Sequence, residues 1–314
     1  MPVTRAVPFK TMGMLGILGL LCSQAVADVT PKPLDVEQIA PGVYVHQGTT
    51  VGFDQPDSDD IANIGFIVGE RCVAVIDSGG SQRVGNGLRA TLEATTPVPV
   101  CYLINTHVHP DHTLGNAVFA GGEVVFVGHE RLPAAFEHNR QFFFQEYADA
   151  LRTPNGVAGL IPPTLLVKDT LDLDLGGRIV RLFAHGPAHT DQDLSVLDLR
   201  TGTLWLGHLF VDRVPALDGS LRGWIRLTED LQRIEAQRVV PGNGPMPQAW
   251  PSAAEPQLRY LRTLAADVRD ILDQGGFLED ALRQAGAGEQ DRWALFDQHH
   301  GANVTRVYTE LEWE

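Results

Sequence analysis

The sequence predicts an α/β (α+β) chain folded as a four-layered sandwich, two sheets lying between outer helices. Three observations predict it. The first half reads as β runs interrupted by one amphipathic helical stretch. A second set of β runs begins past residue 164, and a long segment of helical periodicity follows that set. With 314 residues, 44% of them hydrophobic, the chain can bury a core of that size and is too apolar for disorder.

Taken in order, VEQIAPGVYVHQG (36–48) alternates apolar and polar residues around a Pro-Gly turn, and NIGFIVG (63–69) and RCVAVIDSGG (71–80) follow as apolar strands. The Asp-rich segment from Gly52 to Asp60 is then a loop, a position that often lines a site. VGNGLRATLEATT repeats Val84, Leu88 and Leu92 every four residues and reads as a helix. VPVCYLINTH (98–107) and GEVVFVG (122–128) are the next buried strands. Strand, helix and strand at this spacing form a right-handed crossover, which covers the sheet on both faces. Residues 129–151 read as helical and are closed by the turn-rich TPNGVAGLIPP. TLLVKDTLDLDLGG opens the second β set, continued by GRIVRLFAHG, DLSVLDL and GTLWLGH. In EPQLRYLRTLAADVRDILDQGG (255–276), Leu258, Leu261, Leu264, Val268 and Ile271 recur at helical intervals, and Gly275-Gly276 ends the helix.

The formal net charge of -15 is spread without blocks of like charge, which reads as solubility. No basic stripe, finger spacing or RNA-binding aromatic motif is present, so no nucleic-acid partner is expected. Arg5 and Lys10 precede the apolar run TMGMLGILGLLC, and Ala25-Val26-Ala27 supplies small residues before Asp28. Residues 1–27 therefore read as a secretory signal peptide cut after Ala27, which predicts a periplasmic protein with no membrane span in the mature chain. In that oxidising compartment Cys72 and Cys101, on neighbouring strands, are either a disulfide or two buried thiols.

INTHVHPDHTLGN (104–116) crowds His107, His109, Asp111 and His112 into six positions directly after a buried strand. In an extended segment alternate side chains share a face, which places His107, His109 and Asp111 together and turns His112 towards a second centre. Neutral imidazole and carboxylate suit a borderline-soft divalent ion such as zinc, and three protein ligands plus a water make a site of the open, catalytic type. Zinc lowers the pKa of a bound water to about 7 and polarises a carbonyl, so hydrolysis is the leading chemistry. Asp111 is the candidate catalytic residue, orienting the nucleophile and moving its proton.

THVHPDH resembles the HxHxDH signature of the metallo-β-lactamase superfamily, and the likeness continues in VIDSGG (75–80), GPAHTDQD (186–193), LWLGHLF (204–210) and VVPGNGP (239–245). The resemblance implies an αββα sandwich of two mixed sheets flanked by helices over residues 28–314, with a C-terminal helical extension from about 252, usually holding two zinc ions. It implies His107, His109 and His189 around one ion, Asp111 and His112 beginning a second site, and Asp77 orienting the ligand loops. Two positions depart from the family pattern. His208 stands where relatives carry a shared aspartate or a cysteine, and Asn243 stands where they carry a final histidine. An amide oxygen is a poor zinc ligand beside imidazole, so the expectation is one firm zinc site and a second, differently built one with His208 as ligand.

FVDRVPALDGSLRGWI (210–225), AWP (249–251), WALFDQHHGANVT (293–305) and the terminal YTELEWE resemble the exported zinc metallohydrolases of quinoprotein dehydrogenase systems and, more distantly, of sulfur oxidation. That likeness implies a hydrolase acting on an ester, thioester or amide bond of a small-molecule substrate, with a quinoprotein system as possible partner. β-Lactam hydrolysis, glyoxalase-II-like thioester hydrolysis and a non-catalytic metal-binding accessory role are the alternatives. Arg222 and Trp224 are either a pocket wall that recognises an anion or a structural loop. His185 is either a satisfied pocket histidine or a substrate contact. Phe142, Phe143 and Phe144 beside Tyr147 pack a helix or cover the site as a lid. His46, His129 and His138 read as solvated, and His299-His300 as a polar turn whose side chains point apart.

Overall fold

The first sheet is assembled almost in chain order. The computed structural model describes Met1 and residues 31–52, 55–153 and 156–313, so the signal peptide expected over 1–27 lies outside the described residues. Strands β1 (Glu37–Ala40), β2 (Val43–His46), β3 (Ile64–Val68) and β4 (Val73–Ile76) pair antiparallel. Helix α1 (Gln82–Thr95) then crosses back to β5 (Val100–Ile104), which runs parallel to β4. Two short helices, α2 (Pro110–Thr113) and α3 (Asn116–Phe119), lead to β6 (Val125–His129), and α4 (Leu132–Glu146) follows. A ribbon, β7 (Arg152–Thr153) and β8 (Gly156–Val157), precedes β9 (Leu165–Val167), which pairs parallel with β6 at the sheet edge. The stretch 164–177 is thus divided: β9 completes the first sheet, and only β10 (Thr170–Asp174) opens the second, contrary to the reading of one second-half unit. Apolar character cannot tell one buried edge from another.

The second sheet continues through β11 (Ile179–Ala184), β12 (Leu194–Asp198) and β13 (Thr203–Phe210), all antiparallel neighbours. Helix α5 (Leu221–Leu231) crosses over to β14 (Arg238–Asn243), parallel to β13. Helices α6 (Glu255–Asp273), α7 (Leu278–Gln284) and α8 (Phe296–Leu311) close the chain. The expected helix over 255–276 is α6, and Gly275, at φ +73°, takes the left-handed conformation that ends it. The expected polar turn at His299-His300 is instead the first half of α8, because its apolar stripe is interrupted by Asp297–Gly301 and shows weakly in sequence.

Four layers follow from alternation. In β4, Ala74 and Ile76 face the second sheet, packing with Leu182, Val196, Trp205 and Val240, while Val73 and Val75 face α1 through Val84, Leu88 and Leu92. The far face of the second sheet, Leu204, Leu206 and Val239, packs on Leu231 of α5 and on Ala253 and Ala254. Each fully buried aliphatic side chain contributes about 1.5–3 kcal/mol. Buried Arg178 braces the sheets: its guanidinium donates to both Asp198 oxygens at 2.9 and 2.6 Å and to the Val68 carbonyl at 2.8 Å. Cys72 and Cys101 form a disulfide at the start of the β4–β5 pair, Cα to Cα 5.5 Å. Among the described residues no helix is long and apolar enough to cross a membrane.

The parallel pairs matter most for the site. β4, β5, β13 and β14 all end at one rim, and the loops beyond β4 and β5 carry Asp77 and His107 there. Asn63 stitches the rim by donating to the carbonyls of Pro241 and Gly244 at 2.9 and 2.8 Å. Gly207 is required where the sheets meet, since a Cβ there would stand 2.2 Å from Thr106 Oγ1.

Candidate metal centre

β5 ends at Ile104, and Pro110 at the first position of α2 pulls the chain out of extended geometry. Between them Asp77 organises the loop. Held at φ 55°, unusual for a non-glycine residue, it accepts hydrogen bonds from the Thr106 amide at 2.8 Å and the Thr106 hydroxyl at 2.7 Å. It also accepts from His112 Nδ1 at 2.7 Å.

Three imidazoles converge above this loop. His107 Nε2 and His109 Nδ1 are 3.1 Å apart, and His189 Nε2 lies 3.3 Å from the first and 3.1 Å from the second. Each ring's other nitrogen faces an acceptor. His189 Nδ1 donates to the Ala216 carbonyl at 2.6 Å and His109 Nε2 to Asp218 at 2.7 Å. The Thr106 hydroxyl, its own proton given to Asp77, accepts from His107 Nδ1 at 3.0 Å. These partners leave three lone pairs aimed at one another, an arrangement that repels unless a cation sits among them. Nitrogens about 2.0–2.1 Å from a tetrahedral zinc are themselves separated by about 3.3 Å, so the triangle fits such an ion. Burial first, then the neighbouring rings, keeps His107 well below the ordinary imidazole range and pulls His189 down to about 3, so both rings are neutral. Among the described residues, only this triad brings three ligand-type atoms within 4.8 Å of one another.

Asp111 does not share the face of His107 and His109 as an extended chain would have it. It sits in α2, and its Oδ2 lies 3.3 Å from His112 Nε2. His112 is thus held between Asp77 and Asp111, its ring centroid 4.3 Å from that of His107. Burial opposes both charges, but each overcomes it through the other: the Asp111 carboxyl is held well below the usual carboxylate range, and His112 is raised well above the usual imidazole range. His208, on β13, is buried with neither ring nitrogen hydrogen-bonded. An unpaired buried polar group costs about 1–3 kcal/mol. Asn243 donates its amide nitrogen to the Ile61 carbonyl at 2.8 Å.

A cavity of about 260 Å³ opens over His107 and His109 of the triad, walled also by Asp111, His112, Arg213, Asp218, Asn243 and residues of α4 and α8. Layered fold, ligand loops at one strand rim and cavity agree with what comparison finds. A family model described as the metallo-β-lactamase superfamily matches residues 57–245. The chain belongs to the metallo-β-lactamase superfamily. Members of this superfamily bind metal ions and are generally hydrolases. Among solved structures, a metallo-β-lactamase from Pontibacter korlensis is 19% identical, with a TM-score of 0.59, 73% of this chain and 99% of that chain being covered. TMB-1 is 17% identical at a TM-score of 0.57, covering 73% and 97%, and DIM-1 metallo-β-lactamase exposed to ceftazidime is 17% identical at 0.58, covering 74% and 97%. At these identities the likeness carries the fold. No curated protein matches the chain.

Within this superfamily frame several expected site residues lie elsewhere. Trp224 is fully buried beneath His189, ring centroids 4.9 Å apart, and packs behind that ring instead of walling a pocket. Arg222 is turned to Glu310 of α8, Nε to oxygen 3.1 Å. His185 bonds Ser195 Oγ at 2.6 Å and lies 5.7 Å from the His208 ring, away from the cavity wall, so it is the satisfied histidine of the two alternatives. His46 and His129 are not solvated: His46 joins Asp60 to the Asp35 carbonyl at 2.8 Å each, and His129 reaches the His185 carbonyl at 3.0 Å. His138 is exposed. The aromatic run divides its roles, with Phe143 buried in the helix packing and Phe142 and Tyr147 facing the cavity. Asp218, Arg213 and His299 carry no spacing signal, because Asp218 reaches His109 across 109 residues and α8 lies beyond the family match.

Proposed function

We propose that the protein is an exported zinc-dependent hydrolase that cleaves an ester, thioester or amide-like bond of a small-molecule substrate and serves a quinoprotein or sulfur-oxidation redox system. The triangle of three inward-facing imidazole lone pairs is the observation that carries the hydrolase reading. The reading assigns one firm zinc to His107, His109 and His189 and a second, weaker ion to Asp111, His112 and His208. Bound there, zinc supplies Lewis acidity and a lowered pKa for water. The disulfide between Cys72 and Cys101 supports export to the periplasm, since such bridges persist in oxidising compartments. The quinoprotein association rests on the peptides over 210–225 and 293–305.

Asp111 is ionised at neutral pH and lines the cavity, so its carboxylate accepts a hydrogen bond from the attacking water and orients it towards the acyl carbon. Asp77 holds the Thr106 and His112 positions, and Asp218 and the Ala216 carbonyl hold the rings of His109 and His189. Phe142 and Tyr147 give the cavity an apolar side that admits a small acyl group. The test is a zinc-loaded preparation assayed against ester, acyl-thioester and chromogenic lactam panels, with metal counted by mass spectrometry. Hydrolysis that disappears on chelation and returns with zinc is expected. A zinc-replete protein inert on every panel, yet retaining a quinoprotein in pull-down, would establish the accessory role instead.

A further inference from the structure

The cavity over His107 and His109 holds about 260 Å³, below the roughly 300–1,000 Å³ usual for a small-molecule site, so a substrate of ordinary size extends beyond it. Two grooves adjoin it. One, of about 570 Å³, lies past Tyr147 and is lined by charged side chains such as Asp59, Arg83, Glu146 and Arg152. The other, of about 920 Å³, lies past Phe142 and is walled by α4, by residues 190–192 and by Arg306 of α8. His109, Pro110, Phe142 and Asp218 line both this larger groove and the metal cavity, so the two are continuous.

The near part of the larger groove is apolar. Val108, Ala134, Ala135 and Phe143 line it, and with Phe143 turned into the core the adjacent Phe142 is left 51% exposed at the passage. Its ring stands edge to face with that of Tyr147, centroids 5.9 Å apart. A hydrocarbon arm crossing there removes an aromatic face from water. The groove also carries two guanidinium groups. Elsewhere on the same helices arginine is neutralised locally, Arg140 by Glu137 at 2.8 Å on α4 and Arg222 by Glu310 of α8 at 3.1 Å. Arg131, just ahead of α4, instead donates to the Asp191 carbonyl at 3.4 Å, and Arg306 acts on Asp218 only across space. Neither forms an ion pair with a carboxylate among the described residues, and both keep the fixed fork of donors that suits a carboxylate.

We propose that this groove is the subsite for the acyl arm of the substrate, an arm apolar along its length and anionic at its far end, an inference that rests on the hydrolase reading above. Phe142 belongs to the apolar side that admits the acyl group, so the first carbons of the arm lie against its ring. The arm continues over Val108, Ala134 and Phe143, and its terminal carboxylate meets Arg131 and Arg306. Glu130 and Asp191 line the same groove and repel an anion placed anywhere but at the arginines, which fixes where the arm ends. The substrate class is the half-ester, half-thioester or half-amide of a long dicarboxylic acid.

The experiment compares the full-length, zinc-loaded wild type with a variant carrying both Arg131→Gln and Arg306→Gln. The substrates are nitrophenyl half-esters of propanedioic, hexanedioic and decanedioic acids, each beside the neutral ester of the equally long monoacid. For the longer arms the wild type should favour the charged ester over its neutral twin by about 3–10-fold in KM, the range two exposed ion pairs supply. The propanedioic arm, too short to pass Phe142, should show no such preference. In the double variant the preference should disappear, and in the wild type added salt should erode it. Calorimetry on chelated protein reads the subsite without turnover: decanedioate should bind more tightly than decanoate to the wild type and no more tightly to the variant. No preference for the charged esters, an equal preference at every length, or one that survives the double substitution overturns the assignment. A wild type that cleaves none of the esters defeats the hydrolase reading, while calorimetry still decides the groove, so the two failures are distinguishable.

Discussion

The triad of His107, His109 and His189 and the neighbouring group of Asp111, His112 and His208 stand side by side but are built differently. Every triad ring has its remote nitrogen tied to an acceptor, so the three inward nitrogens are held in a geometry that could take an ion. In the second group, Asp111 and His112 satisfy each other and His208 satisfies nothing. Preorganisation is therefore spent on one centre. The difference teaches that a ligand's value depends on what holds its far side: His208 has the chemistry of a ligand and the burial, but no acceptor fixes its ring.

Breaking the triad gives the largest expected effect. His189→Ala removes one corner of the triangle and should abolish tight zinc binding and lower hydrolysis roughly 10³-fold or more, since the ion's contribution amounts to several kcal/mol. Metal analysis and activity measured on the same preparation check this, and an active, metal-free variant would contradict the site. Removing only the support is milder. Asp218→Asn keeps the ligand set but loses the charge that orients His109, and zinc affinity measured by chelator competition should weaken about 10–100-fold.

The second group is sharpened by His208→Leu. In chelated protein the variant should be more stable to urea by about 1–2 kcal/mol, because an unpaired buried imidazole is replaced by an apolar group. In zinc-loaded protein the second, weaker ion should be lost, with the triad's affinity intact. Two tight ions retained in the variant would remove His208 from the second group. The smallest effect lies outside both groups. Burial lowers His46, but the hydrogen bond and charge of Asp60, with Asp35, outweigh it and raise its folded pKa above the unfolded value. Its stabilisation is then fully present below about pH 6.5 and is lost as pH rises through the folded pKa. Urea unfolding followed across pH 5–9 should show that slope in the wild type and a flatter one in His46→Gln.

Strands buried on both faces were easy to read, because β4 and β5 are nearly unbroken apolar runs whose crossover permits few topologies. The sequence places β9 with the second sheet, whereas it pairs with β6, since Leu165, Leu166 and Val167 look alike at either edge. α8 falls within the helical extension expected from about 252, but its first half reads as a polar turn because two histidines, a glutamine and a glycine interrupt its apolar stripe. Asp111 was misplaced for a different reason: alternation holds only while the chain stays extended, and Pro110 had already started a helix. Arg222 and Trp224 were attractive as types, but a side chain's type does not say which way it faces.

By itself the sequence determined the layered fold and the histidine cluster that could hold a metal, because those depend on residue type and on periodicities that are local along the chain. Only the tertiary structure decided which nitrogen of each ring looks inward, which carboxylate serves which histidine and that the C-terminal helix reaches the cavity. Those choices are made by partners such as Ala216 and Asp218, met across long stretches of chain, and hydrogen-bond geometry of that kind leaves no periodic trace.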